Sequence, residues 1–262
     1  MSLLAMAVYD TLDNKRTQFT DRTLESLGRT VDFTKHRLFI CDNNSCPDTW
    51  ALYKKYRDQF EFQVISNSSN VGTARAINRA WILRGPGEHC VKMDNDVVIH
   101  QAGWLDKLGE CVERDPKIGI IGLKRKDVLE DPAKGRDELF WAYSKALPHE
   151  RGQTWLNVEV VNHVIGTCQL YNSALLDKIG YLYQLGGIYG FDDSLAATRC
   201  EIAGFYSCFY PHIDIDHIDC GGDDYTDWKR KYSGELINRF HKVREEFMLG
   251  KRSVWCGPDQ DD

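Results

Sequence analysis

No apolar run in the sequence approaches the roughly 20 residues that a membrane helix needs, and the first residues lack the basic flank and cleavage site of a signal peptide. These absences predict a chain with no membrane span and a cytoplasmic location. No two of the nine cysteines form a Cys-x-x-Cys pair, and their number is odd. That argues against a zinc site or a disulfide framework and for reduced, mostly buried thiols. Positive charge is in short supply: 33 Lys and Arg face 39 Asp and Glu, a net charge of −6 that speaks against a general nucleic-acid binder. What is present is ordinary for a globular chain, 262 residues of which 42% are hydrophobic and 27% charged, enough for one large α/β domain or two small ones.

Apolar segments that end in acids and small polar residues alternate with helical patterns. Leu3 to Tyr9 predicts a first strand emptying into Asp10-Thr11-Leu12-Asp13-Asn14. Thr20 to Leu27 predicts a helix stopped by Gly28, Arg37 to Cys41 a strand ending in Asp42-Asn43-Asn44-Ser45, Asp48 to Phe60 a helix, and Phe62 to Ile65 a third strand. Such alternation implies parallel pairing, with ligands gathered at the C-terminal edge of the sheet.

Val91 to Ile99 reads as one buried strand, β-branched and apolar, into which Asp94-Asn95-Asp96 is set. Taken alone, such acids cap a helix or sit in solvent. If buried without a partner they would protonate or cost several kcal/mol, roughly, so a hard divalent ion, Mg²⁺ or Mn²⁺, is the matching guest. Upstream, Asn70-Val71-Gly72-Thr73-Ala74-Arg75 turns from a loop into a helix. It is either a tight small-residue packing face or a helix start whose N–H groups, with Arg75, face a diphosphate. Gly103 to Leu108 predicts the start of a helix that Pro116 ends, and Ser173 to Ile179 predicts another; Ile118 to Gly122, Val158 to Ile165 (closed by Gly166-Thr167-Cys168) and Tyr206 to Pro211 predict strands. Residues 124 to 157, with Trp141, Tyr143 and Trp155, form a long irregular insertion that supplies either sugar-stacking aromatics or a small satellite core. A glycine-rich loop at 186–190 delivers Asp192-Asp193 to a helix start, where one acid suffices as an N-cap and the other is spare. His217 lies among Asp214, Asp216 and Asp219.

Together, Asp42, the Asn70-x-Gly72 turn with Asn78, Asp94-x-Asp96, Gly103-Trp104-Leu105, Asp115-Pro116 with Gly119, Gly166, Asp192-Asp193 with Arg199, and Ala203-Gly204 resemble, in order and spacing, the inverting GT-A fold nucleotide-sugar glycosyltransferases of the family 2 type. The resemblance covers roughly residues 3 to 220. It implies an α/β, Rossmann-like GT-A domain over 1–220, its mostly parallel central sheet flanked by helices, with a nucleotide-binding half at 1–100 and an acceptor half at 101–220. A C-terminal helical extension would occupy 221–262. It implies a nucleotide-sugar donor, a UDP-sugar, held by Tyr9, Asp42, Asn70, Gly72, Arg75, Asp94 and Asn95. A Mn²⁺ or Mg²⁺ ion would be held by Asp94, Asp96 and His217, with His212 the alternative histidine. Asp193 matches the general base, with Asp192 the other candidate, because the usual Glu-Asp pair is Asp-Asp here and the acid normally two residues further on is Leu195. The first-strand motif also departs from the family, reading Ala7-Val8-Tyr9-Asp10.

Two rival classes share parts of this pattern. A sugar nucleotidyltransferase needs a Gly-rich phosphate loop after the first strand, and Asp10 to Asn14 has no glycine. A non-catalytic sugar- or nucleotide-binding protein of the same fold would be expected to lose the acids, which are all present. Beyond Gly221 the resemblance ends. Residues 214–227 hold six aspartates and no Lys or Arg, whereas 228–252 hold eight Lys and Arg against three Glu. Trp228, Tyr232, Leu236, Phe240, Val243 and Phe247 predict an amphipathic helix. Its basic side is either a solvated face or a guide for an anionic acceptor, whether a glycan, a teichoic-type polymer or modified DNA.

Overall fold

The computed structural model describes residues 1–127, 142–150, 153–219 and 223–259, the last range without the side chains of 223–230. Trp141 and the side chain of Trp228 therefore lie outside the described residues. The first strand, β1 (Ser2–Val8), shows how the core is laid out. Leu4, Met6 and Val8 point into one apolar cluster and Leu3 and Ala5 into another, as the two-residue period of a strand dictates. Both faces must then be covered by helices. α1 (Thr17–Thr30) and α2 (Pro47–Arg57) contribute Leu24, Leu27, Tyr53 and Tyr56 to the first cluster. α3 (Thr73–Trp81) contributes Ala74, Ile77 and Trp81 to the second.

β2 (Arg37–Asp42), β3 (Gln63–Ser66) and β4 (His89–Met93) join β1 in a parallel block ordered β3-β2-β1-β4. The expected continuous strand from Val91 to Ile99 is broken. The chain turns at Asp94-Asn95-Asp96 and resumes as β5 (Val97–Val98), because Val97 N–H and Ile99 N–H donate to the hydroxyls of Thr23 and Ser26 on α1 rather than to a neighbouring strand. After α4 (Trp104–Arg114) come β6 (Ile118–Arg125), β7 (Ala142–Ala146), β8 (Asn157–Val161), β9 (Cys168–Tyr171), α5 (Ser173–Ile179), α6 (Asp192–Ile202), β10 (Tyr206–His217) and α7 (Asp223–Met248). The sheet continues β4-β9-β6-β10-β8-β7. Of the described strands β8, β9 and the two-residue β5, which pairs with β10, run against the rest, so the sheet is mostly parallel, as expected.

Several boundaries differ from the sequence reading, each for a physical reason. Gly28 does not stop α1; it lies inside the helix because a Cβ there would stand 2.8 Å from the Phe60 ring. The predicted strand Val158 to Ile165 ends at Val161, and Cys168, the last residue of the expected closing turn, instead begins the antiparallel wedge β9. β10 runs past Pro211 to His217. The register against β6 shifts between Tyr210 and Asp214, so the proline falls where no ladder bond is required. The 124–157 insertion contains β7, which forms a hairpin with β8.

α7 packs Val243 and Phe247 against Tyr183, Leu185, Leu195 and Cys256. Fully buried Arg199 donates to the carbonyls of Ile179, Tyr181 and Val254 and so ties the tail after α7 to the body. Asn78 does the same through Leu182 and Pro258. Among the described residues, no helix is long and apolar enough to cross a membrane.

Candidate active site

The parallel register aligns the C-terminal ends of three strands. Val8 pairs with Asp42 and Met6 with Met93, which sets Tyr9, Asn43 and Asp94 along one edge. The acidic turn beyond β4 is fixed from beneath. Asn95, nearly buried, donates through Nδ2 to Asp10 Oδ1 at 2.9 Å and Thr20 Oγ1 at 2.8 Å. Asp10 is fully buried and also accepts from Thr20 at 2.7 Å and Thr49 at 3.1 Å. Burial pushes its carboxyl above the ordinary range despite these hydrogen bonds and nearby Arg16. The end of β10 is then zipped to the same turn. His217 pairs with Val97, Asp216 with Val98, and Ile218 N–H donates to Asp96 O at 2.9 Å. That pairing brings His217 Nε2 to 3.4 Å from Asp96 Oδ2.

A cleft of about 320 Å³ opens over this edge, lined among others by Tyr9, Arg16, Asn43, Asn70, Asp94, Asn95, Asp96 and His217. A second cleft of about 140 Å³ adjoins it and is lined by Lys92, Arg125, Gly166, Asp192 and Asp193. The two share Thr73, Asp94, Tyr189 and His217, so they lie side by side along the sheet edge. Asp193 Oδ2 accepts from Gly166 N–H at 3.0 Å and lies 3.3 Å from His163 Nε2, while Oδ1 accepts from Ser194 N–H at 2.8 Å. Burial works against the charge of Asp193, but His163, Lys92 and the Ser194 N–H hold its carboxyl well below the usual range. Asp192 instead pairs with Lys92 Nζ at 2.8 Å, both groups nearly buried. Burial opposes the ammonium charge, yet Asp192, Asp94 and Asp193 around it hold Lys92 protonated well above its ordinary range.

Asp96 is 3% exposed. Burial raises its carboxyl, but His217 and Arg16 beside it outweigh that and hold it well below the usual range. Oδ2 receives Arg16 Nη2 at 2.7 Å, whereas Oδ1 is buried with no hydrogen-bond partner. An orphaned oxygen of this kind suits a cation. His217 Nε2 stands 3.4 Å from Oδ2, the other oxygen of the same carboxylate, so a nitrogen donor lies beside it. Among the described residues no three acidic, histidine or cysteine side chains converge to enclose an ion. The site therefore fits an ion of the Mg²⁺ type, which takes one or two protein ligands and completes its shell with phosphates and water.

Of the residues expected from the sequence, Tyr9, Asn70, Asp94, Asn95, Asp96 and His217 line the first cleft and Asp192 and Asp193 the second. Four do not line either. Asp42 is fully buried, its oxygens taken by Tyr53 Oη at 2.8 Å and Ser45 N–H at 2.9 Å, and Asn43 beside it faces the cleft. Gly72 and Arg75 stand behind the loop that covers the start of α3. The N–H groups expected to face a diphosphate are used inside the protein: Gly72 on Asn70, Thr73 on Ile188 O and Arg75 on Gln184. Gly72 holds φ +91°, and a Cβ there would meet Ile188 Cα at 2.9 Å. His212, also expected as an alternative, is exposed on β10, bonded to Asn157 at 2.6 Å, and lines neither cleft.

Lys92, Arg16, His163 and Asp10 were missed. Lys92 had a visible signal, a lysine in the middle of an otherwise apolar strand two residues before an acid. The other three have none in the local sequence. The loop at 186–190 carries a further surprise, since α7 holds it: Ile188 N–H donates to Tyr232 Oη at 2.9 Å and Phe191 stacks on Phe240 with ring centroids 4.5 Å apart.

Comparison with known proteins places this geometry. Glycosyl transferase family 2 matches residues 13–180. No curated protein sequence matches the chain. Among solved structures, the mannosyltransferase PcManGT from Pyrobaculum calidifontis, in complex with GDP-Man and Mn²⁺, superposes with a TM-score of 0.67 at 15% identity, over 92% of this chain and 63% of that one. S. aureus TarS residues 1–349 gives 0.61 at 16% identity, over 84% and 61%. The same protein in complex with UDP-GlcNAc gives 0.58 at 16% identity, over 91% and 67%. The chain thus spans a little under two thirds of the length of the first two, and the likeness is one of fold.

Proposed function

Because the chain belongs to glycosyl transferase family 2, we propose that it moves a sugar from a nucleoside diphosphate donor, a UDP-sugar, to an acceptor hydroxyl with inversion at the anomeric carbon. Asp193 serves as general base, and Asp96 and His217 would hold a Mn²⁺ or Mg²⁺ ion, with Asp94 lining the same cleft beside them rather than completing a three-ligand set. The observation that carries this reading is the shared wall of the two clefts. Asp94, Tyr189 and His217 face both, so a donor lying along the sheet edge presents its diphosphate to Asp96 and its sugar to Asp193.

The halves divide the work: residues 1–100 hold the nucleotide, with exposed Tyr9 offering a ring face to the base, and residues 101–220 hold the acceptor. A bound divalent ion supplies charge neutralisation for the departing diphosphate. Asp193 has its carboxylate oriented by the N–H groups of Gly166 and Ser194, and takes the proton of the acceptor hydroxyl as that oxygen bonds to carbon. The lowered pKa keeps Asp193 ionised and so able to accept a proton, and it works as a base although weakly basic because the hydroxyl becomes acidic as the new bond forms. Asp192 is the poorer base, since its charge is committed to Lys92. The exposed Lys231, Lys242 and Arg244 of α7 suit a polymeric acceptor that carries negative charge, and the reaction takes place in the cytoplasm.

The test is release of free nucleoside diphosphate from a panel of UDP- and GDP-sugars in the presence of Mn²⁺. Turnover of a UDP-sugar that is lost with chelator and with Asp96→Ala is expected. Activity indifferent to both contradicts the metal role, and nucleotide-sugar binding with no turnover across a broad acceptor panel favours a binding protein of the same fold.

A further inference from the structure

The guanidinium of Arg16 does more than line the cleft. Arg16 stands at the start of α1, and its side chain crosses to the acidic turn. Nη2 lies 2.7 Å from Asp96 Oδ2 and 3.4 Å from Asn95 Oδ1, while Nη1 bonds Asp219. The three side chains are almost dry, with 12%, 5% and 8% exposure for Arg16, Asp96 and Asp219. Arg16 therefore already supplies one positive charge at the carboxylate best placed to take a divalent ion. A second cation at the same oxygen must either displace it or sit against it, and both are unfavourable while the guanidinium is held by the carboxylates of Asp96 and Asp219.

We propose that Arg16 is the resident counter-cation of Asp96 and makes metal binding conditional on the nucleotide. Arg16 neutralises Asp96 in the empty protein. When a divalent ion enters with a diphosphate, the guanidinium passes from Asp96 Oδ2 to the phosphate oxygens, for which its planar fork of donors is well matched. The ion gains the vacated oxygen in addition to the orphaned Oδ1. The ion and the nucleoside diphosphate then bind as a pair and each weakly alone, and the enhancement is reciprocal. The inference rests on the transferase reading and assigns to its metal site a binding order.

The test is isothermal titration of the full chain with Mn²⁺ alone, with UDP alone, and with each in the presence of the other, repeated with GDP. In the natural protein UDP or GDP is expected to tighten Mn²⁺ at least tenfold. Arg16→Gln is expected to bind Mn²⁺ alone roughly 10- to 100-fold tighter, the size of one charge-assisted hydrogen bond removed from competition, and to show a much smaller mutual enhancement. Arg16→Lys retains a positive charge and is expected to keep Mn²⁺ alone weak, which separates competition from misfolding. Strong Mn²⁺ binding to the natural protein without nucleotide, or an Arg16→Gln protein that binds Mn²⁺ alone no tighter, overturns the role of Arg16 and leaves the transferase reading standing. Failure of the natural protein to bind Mn²⁺ and either nucleotide together overturns both.

Discussion

Lys92→Met tests the buried charge network with a calculable outcome. Lys92 is 4% exposed and its ammonium lies 2.8 Å from Asp192, itself 8% exposed. Methionine fills similar space but leaves Asp192 without a counter-charge. Losing one partner of a buried pair costs about 3 to 5 kcal/mol. There is an upper limit, because Asp192 can protonate instead, at about 4 kcal/mol at pH 7 for a carboxyl of ordinary pKa about 3.9. At pH 5 the same escape costs only about 1.5 kcal/mol. In the variant the folded carboxyl has a raised pKa and binds more protons than the unfolded one, so the penalty grows as pH rises above about 4 and levels off once the folded group ionises. Urea unfolding of the natural protein and the variant at pH 5 and pH 7 is expected to show a loss near 4 kcal/mol at pH 7 that falls to roughly 1.5 kcal/mol at pH 5. Lys92→Met combined with Asp192→Asn removes both charges and is expected to recover most of the loss, to within about 1.5 kcal/mol of the natural protein. A single-variant loss under about 1 kcal/mol, one that does not change between the two pH values, or a double variant no better than the single, refutes the reasoning.

Two further outcomes follow from the site. Asp193→Asn is expected to lower the transfer rate by roughly 10²- to 10⁴-fold with nucleotide affinity unchanged in titration. Its stability difference from the natural protein should be full above about pH 4 and shrink below it, because the depressed carboxyl of Asp193 stabilises the fold only while ionised. Gly187→Ala would place a Cβ 1.5 Å from the Tyr232 hydroxyl at φ +67°. It is expected to lift the 186–190 loop off α7, cost about 1 to 3 kcal/mol in thermal unfolding and raise KM for the donor.

How much of this was legible depends on whether the signal was local. The parallel block could be read because each strand carries its own apolar run and each ends in acids or small polar residues. The Asp94-x-Asp96 turn and Asp192-Asp193 stood out because charge at the end of an apolar segment is conspicuous. His217 could be placed only through β10, and there Pro211 misled, since a register shift against β6 allows the strand to continue. Gly28 reads as a helix stop until Phe60 is known to press on it. Asp94 and Asp96 were read as needing an ion because the protein partner of Asp96 lies far off in sequence: Arg16 is 80 residues away. Asp42 shows the converse. A strand-end acid looked available, but Tyr53 on α2 and the turn at Ser45 use both of its oxygens. Pattern locates charged groups; only packing decides which of them are left for a ligand.

The most direct measurement is X-ray diffraction at the manganese absorption edge from crystals grown with Mn²⁺ and UDP. The account predicts one anomalous peak within about 2.3 Å of both the Asp96 carboxylate and His217 Nε2, with the diphosphate on its open side. UDP bound in the cleft with the manganese peak elsewhere, or with Asp96 still paired to Arg16 and no manganese beside it, would contradict it.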